Sequence, residues 1–331
     1  MGIQDSERPS VKDANPGIKL DKVAWTKSNK YSRHFIHGQN RRKHGNRANQ
    51  DRHEFKDIED MRQVGTSKIY YNPKQLELGC STTLVYKGYF ASPKTKAAVK
   101  VILLRNHEVI KEDFAIWQKI KGGVNIIKYY GYFDIKNNGA PMRYVAMEVA
   151  TSTLKRQVKE LRLSTHDIQG YLRDAAKGIE WLHSKNIIHR NIKPDNILIM
   201  QNGRANLSEF GLVKVINPDG DQFDSLGRGV FDWMAPEAIT SCVDSVELNA
   251  TKSLDIFAFG VTIAYAVLGG KHLFGPPLFR AVNIIQGKVI YMDKVASVID
   301  ERHVTIIKEM VKTNPSSRPT ISNIIKNAFT D

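Results

Sequence analysis

The stretch that decides the fold is residues 189–199, which read HRNIKPDNILI, a polar and basic loop that leads directly into a β-prone apolar run. Five other short segments lie around it in a fixed order. They are AAVK at 97–100, SEFG at 208–211, APE at 235–237, DIFAFG at 255–260 and SSRP at 316–319. Six landmarks that agree in order and spacing are far more specific than any single short motif.

Composition places the chain among ordinary globular proteins. Of its 331 residues, 41% are hydrophobic and 25% are charged, which excludes a mostly disordered or fibrous chain. The longest uncharged stretch, residues 256–270, is shorter than the roughly 18 residues needed to span a bilayer. Two cysteines, Cys80 and Cys242, are too few for a disulfide framework, and no N-terminal apolar run suggests a secretory signal. We therefore expect a cytoplasmic protein with a sizeable core.

The first 64 residues differ from the rest of the chain. Between residues 27 and 53 they carry eight Lys or Arg side chains against the single acid Asp51, and apolar residues are scarce. Such a segment buries too little apolar area to offset its ordering entropy, so we expect residues 1–64 to form a disordered basic arm. The formal charge of +15 favours polyanionic partners. Residues 27–53 therefore suggest contact with RNA or an anionic membrane, and we expect no sequence-specific DNA binding.

Residues 65–331 predict an α+β domain in two lobes. Runs rich in β-branched and aromatic residues indicate strands, and apolar residues at 3.6-residue spacing indicate helices. Strands are expected at 67–71, 83–90, 96–104 and 143–149, and helices at 111–121, 166–183, 252–268, 304–312 and 320–327. Strands followed by helices indicate a β-rich N-lobe at 65–148 and a helical C-lobe at 151–331.

The six landmarks resemble the signature motifs of protein kinases. The loop at 189–196 is similar to their catalytic loop H-R-D-L-K-x-x-N, with Asn191 in place of the Asp. Lys100 matches the strand lysine that holds the nucleotide phosphates, and Glu209 occupies the position of the metal-binding Asp in D-F-G. The resemblance implies a bilobal protein-kinase fold that binds ATP with Mg between its lobes.

A narrower resemblance is carried by VGTSKI at 64–69, NPK at 72–74, and HLFG at 272–275 with NII at 283–285. These segments are similar to the kinase domain of the inositol-requiring kinase/endoribonuclease family, the unfolded-protein-response sensors, whose relatives include the 2-5A-dependent ribonuclease. The similarity covers roughly residues 65–330. Because the chain stops at Asp331, we expect it to lack the family's nuclease. We expect the family's luminal and transmembrane parts to be missing as well. The resemblance also implies a homodimer, or a heterodimer with a related kinase-domain protein.

The kinase resemblance assigns a role to each candidate site residue. It places nucleotide-binding positions at Leu78, Gly79, Val85, Ala98, Lys100, Asp113, Met147, Glu148, Val149, Asn196, Leu198 and Glu209. Among these, Asn196 and Glu209 are the expected magnesium ligands, and Lys193 is expected to contact the γ-phosphate. The expected structural residues are Glu237, Asp255 and Arg318.

Several catalytic positions depart from the kinase pattern. Asn191 cannot take up a proton at any useful pH, and a positioned base is typically worth about 10²–10⁴ in rate. The phosphate lid at 78–85 keeps one of three glycines, and residues 229–232 lack the threonine of active Ser/Thr kinases. Glu209 is one methylene longer than Asp, which weakens an octahedral magnesium site. Asp113 is shorter than the helix glutamate that usually pairs with Lys100.

The sequence is compatible with three functions. A retained scaffold with altered chemistry predicts a pseudokinase that acts as a nucleotide-responsive regulator or dimerisation scaffold in a pathway like that of the unfolded-protein-response sensors. The first alternative is a weakly active ATP-dependent Ser/Thr protein kinase that uses Lys193, Asn196 and Glu209. The second is an RNA- or membrane-binding protein that works through the basic arm. The N-terminal sequence MGIQDS fits the N-myristoylation pattern, so an acylated Gly2 would add a second membrane signal.

Overall fold

The computed structural model describes residues 60–80, 83–91, 95–104, 116–137, 140–160, 164–217, 221–223 and 231–329. The basic arm up to residue 59, with Gly2 and residues 27–53, lies outside these ranges, and so does Asp113. What the sequence predicts for those positions stays a prediction.

The N-terminal part is an antiparallel six-stranded sheet in the order β1-β2-β3-β4-β6-β5. Its strands are β1 (Arg62–Gln63), β2 (Ile69–Cys80), β3 (Thr83–Phe90), β4 (Thr95–Leu103), β5 (Tyr129–Asn137) and β6 (Ala140–Met147). In β4 the side chains of Ala97, Val99 and Val101 are buried in the core of this lobe. Because side chains alternate along a strand, Ala98 and Lys100 face the other side of the sheet.

The sheet begins before residue 65. Arg62 and Gln63 pair with Tyr71 and Tyr70 of β2, and the next residue, Val64, is only 2% exposed. The last residues of the segment expected to be a disordered arm are therefore part of the folded lobe. β2 is also longer than the strand predicted at 67–71. It continues past Pro73, where its register with β3 shifts, and such an irregularity is where a strand tolerates proline.

The C-terminal part is mainly helical. Its helices are α1 (Leu154–Glu160), α2 (Thr165–Ser184), α3 (Pro236–Asp244), α4 (Ser253–Val267), α5 (Arg280–Ile285), α6 (Met292–Ala296), α7 (Glu301–Met310) and α8 (Ile321–Ala328). Single 3-10 turns occur at Pro194–Asn196, Phe210–Leu212, Phe231–Trp233, Pro277–Phe279 and Pro315–Ser317. Seven short strands are β7 (Ala150–Thr153), β8 (Ile187–Ile188), β9 (Ile197–Met200), β10 (Ala205–Leu207), β11 (Lys214–Val215), β12 (Asp221–Phe223) and β13 (Leu248–Ala250). They form the sheet β10-β9-β7 and the pairs β11-β8 and β12-β13.

Helix α4 is the centre of the C-lobe. Every residue from Leu254 to Val267 is buried, as expected of a helix that is apolar on all sides. Its one charged residue, Asp255, lies in the first turn and is completely buried. None of the helices that the structure describes is both long and apolar enough to cross a membrane.

Two apolar clusters correspond to the two lobes. The smaller cluster includes Ile69, Val99 and Ala146 and fills the N-lobe sheet on one side. The larger cluster fills the C-lobe and extends to Met147 at the end of β6. A β-rich lobe joined to a helical lobe confirms the predicted α+β, bilobal protein-kinase fold.

Candidate nucleotide and catalytic site

Lys100 lies in the middle of the N-lobe sheet, on the face directed toward the C-lobe. Val85 of β3 is its direct cross-strand partner, so the two side chains share one face of the sheet. Two residues further along β4, Ala98 pairs with Met147 of β6. Ala98, Met147 and Leu198 of β9 all contribute to the apolar cluster that fills the C-lobe. Four of these five predicted residues therefore lie on neighbouring strands of the N-lobe sheet, and Leu198 belongs to the same apolar cluster as Ala98 and Met147.

The predicted lid and linker residues lie on the strands that flank Lys100. The backbone of Leu78, near the end of β2, is paired with Val85, and Gly79 follows it in the same ladder. Glu148 and Val149 directly follow β6, where the chain passes from one lobe to the other. The Glu148 N–H donates to the carbonyl oxygen of Lys128, just before β5, at 2.9 Å. Val149 is 46% exposed. The linker backbone is therefore held in place while its outer face stays open.

Asp255 holds the catalytic loop by its backbone. Its carboxylate accepts hydrogen bonds from the backbone N–H groups of His189 and Arg190, each at 2.8 Å, and from Nε2 of His183 at 2.9 Å. Burial by itself raises the pKa of Asp255, but the hydrogen bonds from His183 and from the His189 N–H, with favourable electrostatic interactions with both residues, outweigh it and leave the pKa below its ordinary value. The carboxylate of Asp255 thus holds the backbone of this loop at His189 and Arg190.

His189 connects the catalytic loop to the SEFG segment. Its Nδ1 accepts the N–H of Asn191 at 3.2 Å, so the ring proton is on Nε2, which donates to the carbonyl of Ser208 at 2.9 Å. Burial lowers the pKa of His189, and the opposing attraction of Asp255 does not reverse this. His189 is therefore neutral, and both of its ring nitrogens are hydrogen-bonded. It links the loop at Asn191 to Ser208, the residue before Glu209.

Asn191 and Asn196 are tied together. The Nδ2 of Asn196 donates to the backbone carbonyl of Asn191 at 2.7 Å, and the carbonyl of Asn196 accepts both the N–H and the hydroxyl of Ser208 at 3.0 Å. Because Nδ2 is used inside the loop, the amide Oδ1 is the atom of Asn196 that remains for a metal ion. Asn191 is partly buried in this loop and offers an amide where the kinase pattern requires a carboxylate.

Glu209 forms a two-pronged ion pair with Lys100. Nζ of Lys100 donates to Oε1 at 2.7 Å and to Oε2 at 2.6 Å. Glu209 itself has a left-handed backbone conformation, with φ 66° and ψ 61°, and is followed by Phe210, which is 1% exposed and packs against the ring of His189 at 4.9 Å. Positive φ is uncommon for a residue other than glycine, and it persists only where the surrounding contacts hold the backbone in that conformation.

This pairing differs from the one that the sequence predicts for Lys100. Sequence reasoning assigned Asp113 to Lys100 and regarded Glu209 only as a metal ligand. Asp113 lies outside the described residues, and within them the carboxylate bound to Lys100 is that of Glu209. The signal that could have found this contact is the extra methylene of Glu209, which lengthens its reach toward the strand lysine.

Lys193 lies one residue before the 3-10 turn Pro194–Asn196, and its carbonyl accepts the N–H of Asn196 at 2.9 Å. Beside it, Nζ of Lys155 in α1 donates to Oδ1 of Asp195 at 2.7 Å. Lys193 is therefore placed in the same loop as Asn191 and Asn196, with its backbone in an extended conformation. The sequence did not indicate the contact between α1 and this loop.

Glu237 and Arg318 form a buried ion pair. The guanidinium donates through Nη1 and Nη2 to both carboxylate oxygens of Glu237, at 2.6 and 2.7 Å. It also donates to the backbone carbonyls of Lys312, Thr313 and Ser253 at 2.8–3.1 Å. The Arg318 side chain is 0% exposed and that of Glu237 is 19% exposed. The APE segment is therefore attached to the start of α4 and to the segment between α7 and α8.

A second anchor of this segment was not predicted. Asp232 forms an ion pair with Arg280 at the start of α5, and its carbonyl accepts Nε2 of His272 at 2.7 Å. Trp233 packs edge-on against His272 at 4.9 Å and against Tyr265 of α4 at 5.5 Å. Because these contacts join residues 32 to 48 positions apart, no local pattern in the sequence indicates them.

The oxygen atoms available at the site fit a magnesium ion. Magnesium prefers oxygen ligands and usually keeps several waters, so one carboxylate and one amide oxygen are an adequate protein contribution. Glu209 and the Oδ1 of Asn196 supply these two groups, and both flank Ser208. Among the described residues, no group of three or more His, Cys, Asp or Glu side chains forms a separate metal site.

The sequence of this chain is similar to that of known protein kinases. The family description "protein kinase domain" matches residues 76–330. The human serine/threonine-protein kinase/endoribonuclease IRE2 is 29% identical over 289 residues, which cover 82% of this chain and 30% of that protein. The Caenorhabditis elegans serine/threonine-protein kinase/endoribonuclease ire-1 is 28% identical over 80% of this chain and 27% of its own length.

A fission-yeast relative carries a functional description in its name. The Schizosaccharomyces pombe sensor for unfolded proteins in the ER, ire1, is 24% identical over 79% of this chain and 27% of its own length. The chain therefore spans about 30% or less of the length of these three relatives.

Proposed function

The chain belongs to the protein kinase domain family and is related to the IRE1-type sensors of unfolded proteins, and from this premise we propose that it is a pseudokinase. It would bind a nucleotide between its lobes and regulate a partner, while transferring little or no phosphate. The observation that supports this most strongly is an amide, Asn191, at the position of the base in a loop that is otherwise fully assembled.

Because the loop around Asn191 is folded, the side-chain amide at this position bears directly on catalysis. Asp255 and His189 hold the backbone on both sides of Asn191 by hydrogen bonds of 2.8–3.2 Å. Misfolding of the loop is therefore not the reason for low activity in this proposal. The side chain at 191 can position an acceptor hydroxyl by hydrogen bonding, but it cannot remove its proton. That loss alone predicts a rate lower by about 10²–10⁴.

The nucleotide side of the proposal rests on the cleft residues. A protein kinase domain generally binds ATP with magnesium, which neutralises charge on the phosphates when it is bound. In this chain Lys100 would hold phosphate oxygens, and Asn196 with Glu209 would hold the metal ion. Ala98, Met147 and Leu198 offer the apolar surface for a base. The Lys100–Glu209 pair makes this pocket weaker for phosphate than an open lysine would be.

The regulatory side of the proposal comes from the relatives. Their names describe kinases that are also endoribonucleases, or a sensor for unfolded proteins. We propose that this chain forms a homodimer, or a heterodimer with such a relative, through its kinase domain. Co-purification of tagged chain with a full-length relative from co-expressing cells tests this. Recovery of both proteins in one complex is expected, and failure to associate in either pairing would refute the dimerisation scaffold.

The binding part of the proposal is tested with a fluorescent ADP analogue and Mg²⁺, with Lys100→Ala as the matched control. Saturable binding to the wild type that is at least tenfold weaker in Lys100→Ala is expected. Transfer from labelled ATP is measured on the same preparation and should equal the Lys100→Ala signal. No binding by the wild type would refute the nucleotide-responsive regulator, and transfer above the control would refute the pseudokinase.

A weakly active Ser/Thr kinase is the second candidate. It is favoured by the oxygen ligands that Asn196 and Glu209 still offer and by Lys193 in the same loop. Under this alternative, transfer depends on divalent metal and disappears in Asn196→Ala as well as in Lys100→Ala. Metal-independent background shared by all three proteins would exclude it.

Binding of RNA or an anionic membrane through residues 27–53 stays a prediction. To test this prediction, a deletion should stop at residue 59, because the residues that follow belong to the folded domain. Asp60 forms an ion pair with Lys74, and Arg62 and Gln63 belong to the sheet. Deletion of residues 1–59 is expected to abolish binding to anionic vesicles or RNA while nucleotide binding is unchanged. Binding that survives this deletion would refute a role for the arm.

A further inference from the structure

Lys100, the residue that a nucleotide phosphate needs, is already bound by a carboxylate of the same chain. Both oxygens of Glu209 accept from its Nζ, at 2.6 and 2.7 Å. The Lys100 side chain is 12% exposed and that of Glu209 is 38% exposed, so the ammonium group is shielded from water while part of Glu209 remains open. A phosphate that binds Lys100 therefore has to displace Glu209 or share the lysine with it.

The reach of Glu209 depends on its side-chain length, because its backbone is fixed on both sides. Before it, Ser208 donates from N–H and from Oγ to the carbonyl of Asn196, and its own carbonyl accepts Nε2 of His189. After it, Phe210 is buried in the C-lobe cluster. The carboxylate of an aspartate on this backbone would end one methylene short of the present position.

The same carboxylate is the candidate magnesium ligand, and the two roles compete. Magnesium binds oxygen at about 2.0–2.1 Å and demands near-octahedral geometry. Each oxygen of Glu209 already accepts one hydrogen bond from Nζ of Lys100 and keeps one further lone pair, so a metal ion bound there would lie close to the ammonium group. A dication at Glu209 also repels the positive charge of Lys100 at short range. Metal binding at Glu209 therefore weakens the ion pair.

We propose that Glu209 is a metal-operated gate on the phosphate site. Without a divalent ion it pairs with Lys100 and excludes the nucleotide phosphates. When Mg²⁺ binds its carboxylate, Lys100 is released and becomes available to the phosphates. Release of Lys100 would then add to the charge neutralisation that a bound metal ion supplies at the phosphates. This inference rests on the proposed nucleotide binding and adds its regulation.

The first test needs no nucleotide. Wild type and Glu209→Gln are treated briefly with acetic anhydride in EDTA or in Mg²⁺, and acetylation of Lys100 is measured by peptide mass spectrometry. Lys100 should react several-fold faster in Glu209→Gln than in the wild type, and Mg²⁺ should accelerate it in the wild type alone. Lys155, which is paired with Asp195, is the internal control and should not change. Equal reactivity of Lys100 in both proteins would overturn the proposal.

The second test measures binding of a fluorescent ADP analogue in EDTA and in Mg²⁺. In EDTA, Glu209→Gln should bind about tenfold more tightly than the wild type, the order expected of a partly exposed ion pair with charged hydrogen bonds. Its Mg²⁺ enhancement should be smaller. If Glu209 were only a metal ligand, Glu209→Gln would match the wild type in EDTA and lose only the Mg²⁺ enhancement, and that result would overturn the gate.

The variant Glu209→Asp distinguishes the effect of the ion pair with Lys100 from the effect of the negative charge at position 209. It keeps the negative charge and the metal-binding group but shortens the reach, so it should bind the analogue in EDTA nearly as tightly as Glu209→Gln and should keep its response to Mg²⁺. If Glu209→Asp binds as weakly as the wild type in EDTA, repulsion alone explains the effect and the gate is refuted. If no variant binds nucleotide under either condition, the proposed function fails as well. If nucleotide binds but the wild type and both Glu209 variants have equal affinities in EDTA, the gate is refuted and the proposed nucleotide binding is not.

Discussion

His272 is expected to make the stability of this protein depend on pH between about 4 and 6.5. Its Nδ1 accepts the N–H of Phe274 at 3.3 Å and its Nε2 donates to the carbonyl of Asp232 at 2.7 Å, so the ring is neutral in the folded protein. Burial, followed by repulsion from Arg280, lowers the pKa of His272 from 6.5 to about 4, and the bond to Asp232 offsets only part of this.

The magnitude follows from proton linkage. The unfolded chain takes up the proton near pH 6.5 and the folded protein only near pH 4, so acid favours unfolding between these values. The contribution of His272 is complete above pH 6.5 and is lost as the pH falls. With 1.36 kcal/mol for each pKa unit, the loss is about 2 kcal/mol at pH 5 and about 3 kcal/mol below pH 4.

The assay is urea denaturation of the wild type and His272→Gln at intervals from pH 8 to pH 5. Glutamine keeps a side-chain donor for the carbonyl of Asp232 but does not titrate. His189, whose pKa is also lowered, is present in both proteins and cancels from the difference. We expect the wild type to lose about 2 kcal/mol more than His272→Gln over this range. Identical pH dependence in the two proteins would show that His272 is not held neutral, and the reasoning would be wrong.

Three further changes test the framework around the site. Arg318→Met leaves Glu237 unpaired near the core and should destabilise by about 3–5 kcal/mol, measured by urea denaturation, whereas Arg156→Met, which removes an exposed ion pair with Glu160, is the control and should leave the denaturation midpoint unchanged. Asp255→Asn places an amide against two backbone N–H donors and should cost about 2–4 kcal/mol, and chemical denaturation no different from the wild type would contradict the assigned hydrogen bonds. Asn191→Asp restores the base and should raise any transfer from labelled ATP, with an increase no larger than about 10⁴, whereas a decrease would contradict the role assigned to position 191.

Local patterns were sufficient for the elements that position the site. The strand predicted at 83–90 is Thr83–Phe90, and the helix predicted at 166–183 is Thr165–Ser184, because each has a clear apolar period and a recognisable boundary. The helix begins after Ser164, whose capping box with Asp167 is readable in the sequence. Motifs at fixed spacing likewise identify Lys100 and the loop around Asn191.

Other elements were missed because their sequence signals conflict. Strand β5 (Tyr129–Asn137) contains Gly131 and Asp134, and both residue types are rare in strands. Asp134 is nevertheless stabilised there by its ion pair with the buried Arg143 of β6, at 2.8 Å. Strand β2 (Ile69–Cys80) continues beyond the strand predicted at 67–71 through Asn72 and Pro73, and both residue types are rare in strands. In both cases tertiary pairing overrides local propensity.

The site partners that were missed are all long-range contacts. The Lys100–Glu209 pair joins residues 109 positions apart, and the Asp232–Arg280 pair joins residues 48 apart. A single sequence shows which residue types are present, but which carboxylate reaches which cation depends on the folded backbone. For Glu209 the outcome depends on one methylene and on a left-handed backbone conformation that no local pattern indicates.

We propose that the folded loop around Asn191, which lacks a base, transfers little or no phosphate. The most direct test of this claim is single-turnover transfer from γ-labelled ATP, with Mg²⁺ or Mn²⁺ and with excess protein, compared between the wild type and Lys100→Ala. We predict equal signals from the two proteins with either metal, under conditions in which the wild type is saturated with nucleotide. Incorporation by the wild type that disappears in Lys100→Ala would show that the chain is an active kinase and would contradict the claim.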